Sequence, residues 1–472
     1  MSSKGKSSMI TAKSEKSPLE RLLSVVSDVR PGESQGALLL TLDLALLLGA
    51  YYLLKTVRES LILAESGAEV KAYSSAAQAI VLLGVVPLYG WIATHLNRNR
   101  LIRWTTLFFA SNLIVFYSFG RAGFREGVVY YIWVGIFNVF IVAQLWAFAA
   151  DLFTEEQGQR LFPLLGIGAS VGAVGGAWAA GKLIRPFGPY NLMLLSTFAL
   201  CVCALMSRLA AYVVTKSQGE TEKRKNTEPL GREGGFQLIL SDPYLRLIAI
   251  LTVLLNIVIG SGDFIFGKLL VAHANEVVGT AATLMKARKA YIGAFYANYY
   301  GWINLFSFLI QSFLVSRIFK RIGVRASLFV LPAISLAAFL SILAYPVLGV
   351  VRVLKIGENS ANYSLQNTVR QALLLPTSRE AKYKANAAID TFCVRLGDVL
   401  QAAVIFVGST LHFDVRSFAA VSLVMTIAWI FVAVQLYQQP QHSNRTPQFR
   451  GSSGHPAVLQ GAASPVSEGP AQ

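Results

Sequence analysis

The chain has 472 residues, 54% of them hydrophobic and only 14% charged. Soluble chains carry about 25% charged residues, so this composition excludes an ordinary water-soluble enzyme and implies a chain that faces lipid and other apolar helices. A formal charge of +17 would suggest nucleic acid in a soluble protein. Here much of it lies in short loops between apolar stretches, the pattern of cytoplasmic loops in membrane proteins, and no nucleic-acid partner is expected.

Residues 1–35 read as a Ser- and Lys-rich tail without the apolar stretch of a secretory signal. Residues 36–214 read as a bundle of six apolar spans, each near the ~20 residues a bilayer crossing needs. The spans run Gly36 to Leu63, Ala72 to Leu96, Leu101 to Gly120, Val128 to Phe153, Leu161 to Ile184 and Tyr190 to Val214. A polar linker over 215–243 follows. A second set of six spans fills 244–438: Tyr244 to Val271, Tyr291 to Phe319, Ala326 to Tyr345, Leu348 to Leu375, Ala385 to Leu411 and Phe418 to Tyr437. Residues 439–472 are rich in Gln, Ser, Pro and Gly and are expected to be disordered.

The expected fold is therefore an all-α membrane protein of about twelve transmembrane helices in two halves of six. Basic clusters recur at the same place in each half: Arg98, Arg100 and Arg103 after the second span, and Arg317, Lys320, Arg321 and Arg325 after the eighth. Six plus six helices around a polar linker resembles the plan of the major facilitator superfamily, in which two halves rock around a midplane site. Loop charge places both termini in the cytoplasm, although Lys286, Arg288 and Lys289 fall on the opposite side.

Several motifs carry less than they promise. Gly176 to Lys182 imitates a phosphate-binding loop, but Leu183 replaces the required hydroxyl and no strand precedes it. Gly168, Gly172 and Gly176 make two overlapping GxxxG patterns, the signature of close helix packing in lipid. Cys201, Cys203 and Cys393 lie in apolar spans and read as packed small hydrophobes. No metal set, cofactor motif or catalytic group is expected.

Ionisable residues inside the spans carry the function. Each costs ~2.5–3.5 kcal/mol at a helix centre, too much to be kept without a role. Lys55, Arg58 and Glu59 share one face of the first span through their i,i+3 and i,i+4 spacings. Asp263 lies in the seventh span, Arg352, Lys355 and Glu358 in the tenth, and Asp390, Arg395 and Asp398 in the eleventh.

Four ordered segments resemble the ATP/ADP translocases, the nucleotide transporters of plastids and obligate intracellular bacteria. They are Lys55-Thr-Val-Arg-Glu59 with Ser66-Gly-Ala-Glu69; Ala143-Gln-Leu-Trp146 with Arg160-Leu-Phe-Pro163-Leu-Leu-Gly166-Ile-Gly168-Ala; Ala361-Asn-Tyr-Ser364; and Lys384-Ala-Asn-Ala-Ala-Ile-Asp390 continuing through Cys393 to Gly397. The resemblance covers roughly residues 40 to 410. It implies a major-facilitator-like fold and exchange of nucleotides across a membrane. Gln144 stands where that family usually has Glu, Asp398 where it has Lys, and Gln366-Asn367 where it has Phe-Asp, so the resemblance implies a diverged member and does not fix ATP as its substrate.

The expectation is a secondary active transporter of an organic anion, a nucleotide in ATP/ADP-type exchange or a related phosphorylated compound, working by alternating access in a lipid bilayer, most simply a bacterial inner membrane. Lys55, Arg58, Arg352, Lys355 and Arg395 are expected to contact phosphates, with Arg58 and Arg352 gripping from opposite halves. Glu59, Asp263, Glu358 and Asp390 are expected to pair with these bases or couple protons. Trp146 and Tyr363 offer faces for a base. Two competing readings are a proton-coupled exporter of an unrelated solute and a non-transporting sensor or scaffold.

Overall fold

The computed structural model describes residues 29–30, 33–95, 98–218, 235–377 and 384–439. The expected N-terminal tail, most of the linker and the C-terminal tail lie outside these residues. Among the described residues the chain is helical, with no strand.

Nine stretches among the described residues are long and apolar enough to cross a membrane. Two of them hold two crossings each. Residues 155–218 bend at Gly188 (φ 79°), and the stretch from Ala282 to Ala344 bends at Gly323 (φ 83°). Both glycines occupy left-handed backbone that a side chain would strain. A further helix over 348–374 is more polar than these, since it carries Arg352, Lys355, Glu358 and Arg370. The described residues therefore make twelve crossings.

We number them α1 (Ser34–Glu65), α2 (Gly67–His95), α3 (Arg98–Arg121), α4 (127–152), α5 (155–187), α6 (189–218), α7 (Pro243–Val278), α8 (285–322), α9 (324–344), α10 (348–374), α11 (386–410) and α12 (Val415–Gln438). Large side chains such as Trp104, Phe198, Tyr212 and Phe431 cover the outside, as a lipid-facing surface requires. Four crossings contain a π-helical turn, at Asn138–Val142, Ile310–Leu314, Asn362–Gln366 and Ile389–Cys393. Such turns re-aim side chains and recur at functional sites.

α1 is largely enclosed, and its seam with α5 depends on glycine. A Cβ at Gly168 would lie 2.5 Å from Thr41 Cγ2, one at Gly172 2.0 Å from the Ala45 carbonyl oxygen, and one at Gly176 2.4 Å from that of Gly49. The GxxxG patterns thus bring two backbones into direct contact, as small residues do where no water drives association. Gly175, beside them in sequence, has open space.

Gly172→Ala should therefore force α1 and α5 apart and cost roughly 1–3 kcal/mol, the usual penalty of overpacking. Gly175→Ala should leave the melting temperature of the purified protein unchanged or slightly raised. Equal melting temperatures for the two variants would contradict this packing.

Candidate functional site

The burial of α1 dictates the chemistry at its centre. Glu59 is fully buried and cannot stand alone in a dry interior. Arg58 Nη2 reaches its Oε1 at 2.6 Å, and Lys71 Nζ on α2 reaches its Oε2 at 2.7 Å. The Tyr300 hydroxyl on α8 donates to Glu59 Oε1 at 3.2 Å. One carboxylate thus holds two cations from its own half and a hydroxyl from the other.

Lys55 lies one turn below on the same face. It makes no ion pair among the described residues. Its ammonium sits 4.3 Å from the ring centre of Tyr300, 5.3 Å from Tyr52, 5.7 Å from Tyr363 and 5.9 Å from Tyr51. The negative faces of aromatic rings hold a cation without neutralising it. Arg58 packs in the same way 4.5 Å above Tyr131.

These groups line an enclosed chamber of about 100 Å³ between the two halves, together with Asp263, Asn359 and Tyr363. It adjoins a space of about 250 Å³ that Lys71, Asn256, Asp263, Asn362, Asp398 and Gln401 help to line. A third space of about 330 Å³ continues past Thr252, Gln366 and Asn367 to Arg370, toward the membrane face where α1 and α7 begin. The π-helical turn of α10 supplies Asn362, Tyr363 and Gln366 to this path.

On the C-terminal side, Lys355 is buried between two carboxylates. It reaches Asp263 Oδ1 at 2.9 Å and pairs closely with Glu358, whose other oxygen accepts from Ser335 Oγ at 2.5 Å. Asp263 remains 42% exposed and faces the chamber.

The expected site residues therefore separate. Lys55, Arg58, Glu59 and Asp263 converge on the chamber, and Lys355 with Glu358 stands directly behind Asp263. Arg352 does not join them. It is held by Asn298, lies 4.8 Å from the ring centre of Phe295 and does not line the chamber that Arg58 faces. Arg395 pairs with Asp398 at 3.1 Å, and Asp390 pairs with Arg370 nearer the mouth. Trp146 packs on Phe162 and is not at the chamber. Lys71 is an addition: its place just before the second predicted span made it read as a loop residue.

Away from the mouth, the halves are clamped together at the Glu65 end of α1. Lys289 Nζ on α8 pairs with Glu65 Oε1 at 2.6 Å and donates to the Tyr190 hydroxyl at 2.9 Å. Ser60 Oγ donates to the Lys289 carbonyl at 2.6 Å, and Arg288 Nη2 to that of Ala64 at 3.1 Å. Lys268 and Glu69 add a pair at 3.1 Å. Most of the polar contacts joining the two halves cluster between the chamber and this face.

Residues 36–392 match the sequence pattern of the Major Facilitator Superfamily. The chain belongs to the Major Facilitator Superfamily. It is a multi-pass membrane protein. It is 21% identical over 346 residues to ADP,ATP carrier protein 1 of Chlamydia trachomatis, covering 63% of this chain and 62% of that one. It is 23% identical over 354 residues to the chloroplastic ADP,ATP carrier protein 1 of Arabidopsis thaliana, covering 66% and 54%. The chain thus spans under two thirds of the length of these curated relatives. In fold it is similar to a mutant form of the nucleoside transporter NupG, with TM-score 0.62 at 12% identity over 85% of this chain and 98% of that one. It is also similar to a bacterial homologue of the iron transporter ferroportin in its inward-facing state, with TM-score 0.61 at 15% identity over 86% and 99%.

The clamp also contains a titratable group outside the spans. Glu126, at the start of α4, is 6% exposed, and neither carboxylate oxygen has a hydrogen-bond partner among the described residues. Burial raises its pKa from 4.5 to about 7; the charge of Glu65 adds to this and Lys289 opposes it. Tyr130 and Tyr190 are the other titratable groups that feel its charge. A raised carboxyl stabilises the closed clamp fully below about pH 4.5 and loses that contribution as pH rises through about 7. The melting temperature should therefore fall between pH 5 and 8, and Glu126→Gln should flatten that fall. Parallel pH curves for parent and variant would contradict this.

Proposed function

We propose that the chain is a secondary transporter that exchanges nucleotides, or closely related phosphorylated anions, across a membrane by alternating access. The observation that carries this is the charge of the N-terminal wall of the chamber. Lys55, Arg58 and Lys71 face it against the single carboxylate of Glu59. Such an excess in a low-dielectric space is unfavourable when the chamber is empty and favours an anion. An arginine fork suits phosphate because it donates two hydrogen bonds at once, and the lysines add point charge. The tyrosines that hold Lys55 offer flat faces for a base. Similarity to ADP,ATP carriers supports the same reading.

In this reading the site works by partner exchange. Substrate phosphate takes Arg58 and Lys71 partly from Glu59, which rearranges the network that joins Glu59 to Tyr300 across the halves. The halves can then rock around the bound anion, opening the Lys289–Glu65 clamp and closing the mouth near Arg370. The protein acts in a cell membrane, a bacterial inner membrane in the simplest case, with both termini in the cytoplasm.

The test is nucleotide affinity of the purified protein and its variants, with melting temperature measured on the same samples. Lys55→Gln and Arg58→Gln should weaken binding by ~2–5 kcal/mol, the usual effect of truncating one partner of a buried charge pair. Arg352→Gln, held by Asn298 and Phe295, should leave affinity unchanged. Full affinity in folded Lys55→Gln and Arg58→Gln proteins would contradict the proposal.

A further inference from the structure

The two walls of the chamber differ in charge. On the N-terminal wall three cations face one carboxylate, an excess of two positive charges. On the C-terminal wall the balance reverses. Lys355 is shared by Asp263 and Glu358, and Arg395 is matched by Asp398. Two carboxylates there, Asp263 and Asp398, line the space next to the deep chamber, among the amides of Asn256, Asn359, Asn362 and Gln401.

An anion lodged at Lys55, Arg58 and Lys71 therefore meets a wall that rejects further negative charge. That wall suits neutral hydrogen-bonding groups. Carboxylates accept from sugar hydroxyls and amino groups, and side-chain amides both donate and accept. A phosphomonoester carries about −1.5 to −2 at neutral pH, which matches the excess on the N-terminal wall. A triphosphate carries about two charges more, and its outer phosphates would run against Asp263 and Asp398, where like charges repel.

We propose that the chamber selects nucleosides bearing one phosphate over those bearing three, with the phosphate on the α1 and α2 side and the nucleoside against α7, α10 and α11. This rests on the nucleotide reading above. Asp263 and Asp398 are the residues that set the selection.

The experiment measures binding of adenosine mono-, di- and triphosphate to the purified full chain at pH 7.5, without magnesium and then with it. The monophosphate should bind at least tenfold more tightly than the magnesium-free triphosphate. Magnesium should narrow the gap by masking phosphate charge. Asp398→Asn should narrow it without magnesium by strengthening triphosphate binding, and Asp263→Asn should do the same. Asp398→Asn carries the test if Asp263→Asn, which unpairs Lys355, fails to fold. A triphosphate that binds as tightly as the monophosphate without magnesium would overturn the selection while leaving the nucleotide reading intact. A monophosphate preference unchanged in Asp398→Asn would overturn the assignment to the C-terminal wall. No binding of any of the three would overturn both the selection and the nucleotide reading.

Discussion

Glu59 is the group on which the site depends. It is fully buried at the middle of the molecule, and it is shared by Arg58, Lys71 and, from the other half, Tyr300. A lone carboxylate there would be too costly, and two cations sharing one carboxylate leave the site short of negative charge. Lys55 deepens the shortage because tyrosine faces hold it in place of a carboxylate. The arrangement leaves an excess of positive charge on this wall, which the proposed anion would offset. The contact with Tyr300 ties that shortage to the interface between the halves.

The surrounding fold serves to place this group. α1 carries Lys55, Arg58 and Glu59 and packs backbone to backbone on α5 through Gly168, Gly172 and Gly176. That seam fixes the height of the three charges relative to the N-terminal half. Lys289 and Glu65 close the space on one side, and the path past Gln366 and Arg370 leads to the other. The charged triad of Lys355, Asp263 and Glu358 is the opposite case from Glu59: one cation between two carboxylates. The two walls are complementary in sign, so a ligand with one anionic end and one neutral hydrogen-bonding end fits between them.

Much of this was legible in the sequence because lipid leaves few choices. Apolar runs of bilayer length gave the twelve crossings, and the helical repeat put Lys55, Arg58 and Glu59 on one face. Charges too costly to be incidental marked α1, α7 and α10. What the sequence could not supply was the partner of each charge across helices. Arg352 and Lys355 are three residues apart in α10, yet one packs on Phe295 and the other is buried behind the chamber. Lys71 joins the site only because the turn between α1 and α2 is tight enough to bring the start of α2 back beside Glu59. Lys289 and Arg288 looked like exceptions to the loop-charge rule. Their charge is used by Glu65 and by the carbonyl of Ala64, so it reports the clamp between the halves and not the sidedness of the loop.

Entry of an anion into this chamber and its passage across the membrane can be followed by counterflow in liposomes. Vesicles containing the purified protein are loaded with unlabelled adenosine monophosphate, and uptake of the labelled compound from outside is followed. The proposed exchange predicts transient accumulation above equilibrium, absent from vesicles carrying Lys55→Gln protein that retains the parent's melting temperature. Accumulation of equal size and rate in the parent and Lys55→Gln vesicles, or none in either with any of the three adenosine nucleotides, would contradict it.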